Sequence, residues 1–101
     1  MAKGYWIAHV TVTDPEGYKR YQAANGAAFS KYQGRFLVRA GDSETKLGAF
    51  KSRHVVIEFP SYQDALDCYA SPEYQHAIAE RGESGEVDLV IVQGYDGPQP
   101  A

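Results

Sequence analysis

Two segments of the chain share one layout, an apolar strand-like run followed at once by a helix start. In the first, "GYWIAHVTVT" (residues 4–13) is followed by Asp14 and Pro15. In the second, "RHVVIEF" (residues 53–59) is followed by the helical pattern "SYQDALDCY". β-branched and aromatic residues favour strands, whereas Asp or Ser before the first turn, or Pro within it, favours a helix start. This repeated layout predicts two strand–helix units in one fold.

Two further strands complete the pattern. "RFLVRAG" (residues 35–41) follows the first helix, and "VDLVIVQGY" (residues 87–95) follows the second. The polar stretch "DSETKLGAFKS" between the second and third strands indicates a hairpin loop or an irregular edge. The sequence therefore predicts an α+β, ferredoxin-like βαββαβ sandwich with an antiparallel sheet in the order 4-1-3-2 and both helices on one face. We assign residues 1–96 to this single domain and residues 97–101 to a flexible C-terminal tail.

A proline interrupts the second helical pattern at "YASPEYQ" (residues 69–75). Ser71 precedes Pro72 and is therefore disfavoured in the helical region. The same serine is a favoured N-cap, proline suits the first helical position, and Gly82 fits a C-terminal cap. The sequence thus predicts that one helix ends and another begins here, rather than a single kinked helix.

Length and charge narrow the function classes. A chain of 101 residues suits one domain, and its net charge of -3 argues against a nucleic-acid partner. No apolar run reaches the roughly 18 residues that span a membrane, and the N-terminus does not resemble a signal peptide, so no membrane partner is expected. Cys68 is the single cysteine, so no internal disulfide can form and a reducing cytoplasm is the expected location.

The period of two along a strand divides the sheet residues between a helix-covered face and an open face. The helix-facing set is uniformly apolar: Trp6, Ala8, Val10, Val12, Val55, Ile57 and Phe59. The open set is mixed: Tyr5, Ile7, His9, Thr11, His54, Val56 and Glu58, joined from the second strand by Arg35, Leu37 and Arg39. The fourth strand is apolar on both faces, and a chain of this size has no second layer to cover the open one. We therefore expect a homodimer in which two sheets face each other.

The segments "RHVVIEFPSYQDALDCYASPEYQ", "YWIAHVTVTDPEGY" and "DLVIVQG" together resemble the bacterial domain of unknown function number 1330, a family of the dimeric α/β-barrel superfamily. The resemblance covers roughly residues 4–94. It implies a ferredoxin-like protomer and a dimer whose two sheets enclose a cleft, but it implies no reaction. The wider superfamily includes cofactor-independent monooxygenases, isomerases, haem-handling enzymes and binding modules, and no haem-enzyme motif is matched here.

Three charged side chains are candidates for chemistry in such a cleft. His9 would be a general base and Glu58 an acid or its orienting partner, with a hydrogen-bonded interface histidine and a structural ion pair as the alternatives. Arg39 would bind a carboxylate or phosphate through its planar fork, or simply pair with Glu58. Alternating faces place all three together only if the strand register allows it.

Aromatic side chains are the candidate ligand contacts. Tyr5, Tyr69 and Tyr74 would line a pocket, although Tyr69 and Tyr74 also fit a role in attaching the restarted helix to the preceding one. Cys68 is expected to be a structural thiol. The three histidines show no metal-ligand spacing and no glycine-rich phosphate loop occurs, so neither a metal nor a cofactor is expected.

These observations leave three functions open. The first is a homodimeric domain that binds a small organic molecule between its sheets. The second is a cofactor-independent enzyme, monooxygenase- or isomerase-like, that uses acid/base chemistry on a small acidic or aromatic substrate. The third is a structural or interaction module without a ligand. The first is preferred because no motif demands a reaction.

Overall fold

The computed structural model of the protein describes residues 2–100. Its elements are β1 (Gly4–Val12), α1 (Pro15–Lys31), β2 (Arg35–Arg39), β3 (Arg53–Phe59), α2 (Tyr62–Ala70), α3 (Pro72–Arg81) and β4 (Gly85–Gln93). The strands form one antiparallel sheet in the order β2-β3-β1-β4, which confirms the predicted α+β ferredoxin-like order 4-1-3-2. The division of the chain into a domain over residues 1–96 and a flexible tail stays a prediction. The first and last residues of the chain, Met1 and Ala101, lie outside the described residues.

The core lies between one face of the sheet and the helices, and Trp6 of β1 is at its centre. The Trp6 ring contacts Phe29 of α1 at a centroid distance of 5.3 Å and Tyr74 of α3 at 4.8 Å. Its Nε1 donates a hydrogen bond to the carbonyl of Ala65 at 2.9 Å, so the indole pairs its one polar atom while buried. Burial of each large aromatic side chain contributes about 2 kcal/mol, so this aromatic cluster helps to hold the helices on the sheet.

Ser71 ends one helix and begins the next, as predicted. Its backbone is extended (φ -66°, ψ 150°), and its Oγ accepts a hydrogen bond from the Tyr74 amide at 3.1 Å. The same hydroxyl donates to the carbonyl of Cys68, in the last turn of α2, at 2.6 Å. Gly82 caps the far end of α3 with a φ of 50°, a conformation that glycine adopts without strain. One buried serine therefore fixes the angle between α2 and α3.

A β-bulge in β2 changes which side chains face the helices. Phe36 pairs with Ile57, but Val38 pairs with Val56 and Arg39 with Val55, so Leu37 is an extra residue in the strand. Strict alternation had assigned Arg39 to the open face, and that assignment is wrong. Because the bulge shifts the alternation by one residue, Arg39 lies on the helix-covered side with Val55, and Val38 lies on the open face with Val56.

The open face of the sheet carries an apolar row across all four strands. The register places Val90, Ile7, Val56 and Val38 side by side, and Val90 and Val38 are 55% and 41% exposed. The protein is only 16 Å thick along its shortest axis, which corresponds to one sheet and one helix layer. Among residues 2–100, no helix is long and apolar enough to cross a membrane.

The segment between β2 and β3, predicted as a loop, has no regular secondary structure and reaches over one end of the open face. The ring of Phe50 lies 5.3 Å from that of His9, and Lys51 Nζ bonds the Asp88 carboxylate of β4 at 2.6 Å. The loop joins β2 and β3, but two of its side chains therefore contact the other two strands, β1 and β4.

Candidate functional site

A cavity of about 40 Å³ lies between the helix-covered face of the sheet and α1. All four strands line it, together with the inner face of α1 and one residue of α3. The lining residues are Trp6, Ala8, Val10, Tyr18, Tyr21, Gln22, Asn25, Phe29, Phe36, Arg39, Arg53, Val55, Ile57, Tyr74, Val87 and Leu89. They are mostly apolar and aromatic, with a few polar groups, as in small-molecule sites, but the volume is far below the roughly 300–1,000 Å³ of a pocket for a drug-sized ligand and suits only a molecule of a few atoms.

Two arginines are the charged residues in this lining. The Arg39 guanidinium lies 4.2 Å from the centroid of the Phe36 ring, and that of Arg53 lies 5.6 Å from the Tyr18 ring. Within residues 2–100 neither arginine forms a salt bridge, and no carboxylate residue lines the cavity. The Nε of Arg53 is buried and lacks a hydrogen-bond partner among the described residues. Such a group costs about 1–3 kcal/mol when left unpaired, and more when charged.

A pair of tyrosine hydroxyls closes the α3 side of the cavity. Tyr21 and Tyr74 share a hydrogen bond of 2.6 Å between their Oη atoms, and both side chains are buried. Burial, then the neighbouring Tyr21, raises the pKa of Tyr74 far above its ordinary value. The pKa of Tyr18 is also raised, chiefly by burial. The raised pKa values mean that Tyr18 and Tyr74 are neutral hydrogen-bonding groups and not bases at physiological pH.

Of the predicted ligand contacts, the structure places Arg39 and Tyr74 at this cavity and the other two elsewhere. Tyr69 packs on the rings of Trp6 and Tyr74 at 5.9 and 5.4 Å, with 39% of its surface exposed, and does not line the cavity. Tyr5 lies on the opposite face of the sheet, where its hydroxyl donates to Glu58 Oε2 at 3.0 Å. That hydrogen bond to the carboxylate is the main reason that the pKa of Tyr5 is raised.

Glu58 is held in an ion-pair cluster on the open face. Besides Tyr5, its carboxylate lies 3.7 Å from Arg35 Nε and 3.9 Å from Lys3 Nζ. The arginine partner is therefore Arg35 and not Arg39, because the register puts Arg35 opposite Glu58 and Arg39 opposite Val55, on the other face of the sheet. The cluster satisfies a carboxylate that is largely shielded from solvent, the arrangement expected of a structural ion pair.

His9 and Glu58 share the open face but do not meet. In the register Glu58 is opposite Tyr5, whereas His9 is opposite His54, so four residues of strand, or about 13 Å, separate the two. The Nδ1 atoms of His9 and His54 instead form a hydrogen bond of 2.8 Å. The acid/base pair predicted from the sequence is therefore not assembled within one chain.

Sequence reasoning missed Arg53, although a signal for it was present. Arg53 alternates with Val55 and Ile57 along β3, which puts it on the helix-covered face. Cys68 is the predicted structural thiol: it lies on the buried face of α2, and desolvation raises its pKa to about 12. A thiol that resists ionisation in this way is a poor nucleophile.

The family relationship accounts for nearly the whole chain. The family model described as "Domain of unknown function (DUF1330)" matches residues 3–95, a span that includes every strand and helix. The chain belongs to the DUF1330 family. A search of curated protein sequences found no significant match.

Solved structures similar to this DUF1330 protein share its fold. A protein of unknown function from Rhodopseudomonas palustris superposes with a TM-score of 0.72 at 15% identity, covering 95% of this chain and 85% of that one. SnoaB, a cofactor-independent oxygenase from Streptomyces nogalater, superposes with a TM-score of 0.61 at 14% identity, covering 99% and 97%. At these identities the likeness establishes the ferredoxin-like fold of this chain and says nothing about a reaction.

Proposed function

We propose that this DUF1330 protein binds a small organic acid in the cavity between α1 and the sheet. The observation that carries the proposal is the pair of arginines, Arg39 and Arg53, in a lining that is otherwise apolar or neutral. Arginine stays protonated under all ordinary conditions, so the cavity carries positive charge in a chain whose net charge is -3. An anionic ligand compensates this charge.

The unpaired nitrogen of Arg53 favours a carboxylate over a neutral ligand. A guanidinium presents a planar fork of N–H donors that matches the two oxygens of a carboxylate. A bound carboxylate would pair the buried Nε, and charge-assisted hydrogen bonds of this kind contribute about 1.5–3 kcal/mol. The volume of about 40 Å³ limits the ligand to an acid group on a very short apolar body, for which Trp6, Tyr18 and Phe36 supply apolar contacts.

This proposal relocates the site that the sequence suggested. The predicted site was a cleft between two facing sheets, with His9, Arg39 and Glu58 together. The cavity is instead within one protomer, on the opposite face from His9 and Glu58, so neither of these side chains is part of it. Binding at this cavity therefore does not depend on the dimer.

Acetate and acetamide provide a matched test, since they have nearly the same size but differ in charge and are small enough for the cavity. Isothermal titration is expected to detect acetate binding and much weaker acetamide binding. The variant Arg53→Gln should weaken acetate binding by roughly 10- to 100-fold, the equivalent of the lost charged hydrogen bonds. The control variant Arg20→Gln removes an arginine of α1 that does not line the cavity and should leave the affinity unchanged. Equal affinity for acetate and acetamide, or no effect of Arg53→Gln, would contradict the proposal.

The enzyme alternative is tested by the same samples. Catalysis in this cavity would have to use the lining residues, because His9 and Glu58 lie on the other face of the sheet. Mass spectrometry of the acid recovered after long incubation in air distinguishes the two functions. Recovery of unchanged acetate supports a binding role, and a protein-dependent product supports the cofactor-independent enzyme.

We further propose that the protein is a homodimer joined through the open face. The apolar row of Val90, Ile7, Val56 and Val38 supports this, because a soluble monomer rarely exposes several adjacent aliphatic residues on a flat sheet. An isologous pairing of two such faces would bury the row in both chains.

We also propose that the protein is located in a reducing cytoplasm, because its single cysteine is unpaired.

A further inference from the structure

We propose that His9 and His54 form a binding site for a divalent transition-metal ion of the Ni²⁺, Cu²⁺ and Zn²⁺ type. The two residues are directly opposite each other on β1 and β3, and their Nδ1 atoms are 2.8 Å apart. They lie on the open face, away from the organic-acid cavity. The site is therefore independent of the organic-acid binding proposed above, although it lies on the face through which the dimer is proposed to form.

The separation of the two nitrogens is close to that found between two ligands of one ion. Imidazole nitrogens bind zinc at about 2.0–2.1 Å, and two of them at an angle between 90° and tetrahedral are then roughly 2.9–3.4 Å apart. A shift of a few tenths of an ångström opens the present pair to that distance. Because the strands are held by sheet hydrogen bonds on both sides of the pair, the two rings are already positioned before an ion arrives.

A metal ion can replace the hydrogen bond between the two rings without a co-reactant, because the protons balance. In the hydrogen bond one ring carries its proton on Nδ1 and the other accepts it with the Nδ1 lone pair. When an ion takes both lone pairs, the donor ring changes to the tautomer that is protonated on Nε2. The number of ring protons does not change, and the ion replaces one hydrogen bond with two coordinate bonds.

The groups around the pair explain which ions fit. Imidazole suits copper, nickel and zinc, whereas Mg²⁺ prefers oxygen ligands. In the part of the chain that the structure describes, no three His, Cys, Asp or Glu side chains converge, so water would complete the coordination. Asp88, opposite His9 on β4, adds negative charge nearby, although Lys51 holds its carboxylate at 2.6 Å. The ring of Phe50 covers the pair from one side, at 5.3 Å from His9 and 6.2 Å from His54.

The sequence predicted no metal site, because His9, His54 and His76 lack a recognisable ligand spacing. The sheet register, which the sequence does not reveal, brings two of the three together. His76 lies elsewhere, on α3, where its Nε2 is 3.8 Å from Glu80. It is therefore a natural control for metal binding by an isolated surface histidine.

The test is a titration of the untagged protein with NiCl₂, monitored by isothermal calorimetry. MgCl₂ serves as the control. One Ni²⁺ per chain is expected, and no Mg²⁺. The variants His9→Gln and His54→Gln should each weaken Ni²⁺ binding by roughly tenfold or more, whereas His76→Gln should leave it unchanged. Nickel affinity that survives both His9→Gln and His54→Gln, or that is lost in His76→Gln, would overturn the proposal.

A second measurement does not depend on how well these variants fold. Electron paramagnetic resonance of the wild-type protein with one equivalent of CuCl₂ reports the nitrogens bound to the copper. Hyperfine splitting from two imidazole nitrogens is the expected result. A spectrum with oxygen ligands only, or with a single nitrogen, would mean adventitious surface binding and refute the assignment.

Discussion

The variant Ser71→Ala is expected to destabilise the protein more than an ordinary N-cap variant does. The Ser71 hydroxyl accepts from the Tyr74 amide at 3.1 Å and donates to the Cys68 carbonyl at 2.6 Å, and the residue is only 3% exposed. Water cannot replace either bond without entering the core. One side chain thus satisfies a group at the start of α3 and another at the end of α2.

The cost can be worked out bond by bond. Loss of an N-cap costs about 0.5–2 kcal/mol, and burial places Ser71 at the upper end of that range. The Cys68 carbonyl keeps a second bond from the Ser71 amide at 3.2 Å, so loss of the hydroxyl adds less than a full unpaired acceptor would. We therefore expect a decrease of about 2 kcal/mol in the free energy of unfolding. In urea this corresponds to a midpoint lowered by roughly 0.7–2 M.

Ser61→Ala is the matched control, since Ser61 caps α2 in the same way but is only partly buried. Its Oγ accepts from the Asp64 amide at 3.0 Å, and we expect a loss of about 1 kcal/mol or less. Both variants are unfolded in urea at one fixed protein concentration, because a dimer makes the midpoint depend on concentration. If Ser71→Ala costs no more than Ser61→Ala, or stabilises the protein, the argument from the buried double hydrogen bond is refuted.

Three further outcomes are expected. Light scattering of the wild type at micromolar concentration should give twice the 11.1 kDa chain mass, and a monomeric wild type would contradict the dimer. Val56→Lys puts a charge in the apolar row and should give a monomer, whereas Leu47→Lys in the exposed loop should leave the dimer intact. Because the pKa of Cys68 is raised, its contribution to stability is complete below the ordinary thiol pKa of about 8.5 and is lost as the pH rises towards about 12. The variant Cys68→Ser should therefore lose less stability at alkaline pH than the wild type. An identical dependence of stability on pH in the two proteins would disprove this. Tyr74→Phe should lower the free energy of unfolding by about 1–2 kcal/mol, because it leaves the Tyr21 hydroxyl without its partner. The double variant Tyr21→Phe/Tyr74→Phe should lose less than the sum of the two single variants. Strict additivity would show that the bond contributes nothing.

Signals that act over a few residues made most of the fold predictable. Alternation identified the helix-covered faces of β1 and β3, since Trp6 and Ile57 lie in unbroken two-residue patterns. Capping chemistry identified the restart at Ser71, because a serine before a proline stops one helix and starts another. Such features depend on neighbours in the chain, so their physical cause can be read from the sequence.

The candidate site depended on relations between distant residues, which no local pattern contains. The prediction that His9, Arg39 and Glu58 meet required a strand register and an uninterrupted alternation. The register puts His54 opposite His9 and Tyr5 opposite Glu58, and the bulge reverses the face of Arg39. A bulge costs little energy and has no strong sequence signature here, so the alternation rule fails at β2 without warning.

The bulge in β2 also bears on how relatives of this chain should be aligned. With Leu37 inserted, the aromatic Phe36 and the cavity residue Arg39 are three positions apart, and both face the helices. In a regular strand, residues that share a face are two positions apart. A family member that lacks the extra residue would therefore keep the same cavity with an aromatic-x-Arg spacing, and a gap-free alignment would match its arginine to Val38. Comparing cavity residues across the family thus requires a one-residue gap in β2, and deletion of Leu37 should leave the cationic side of the cavity intact.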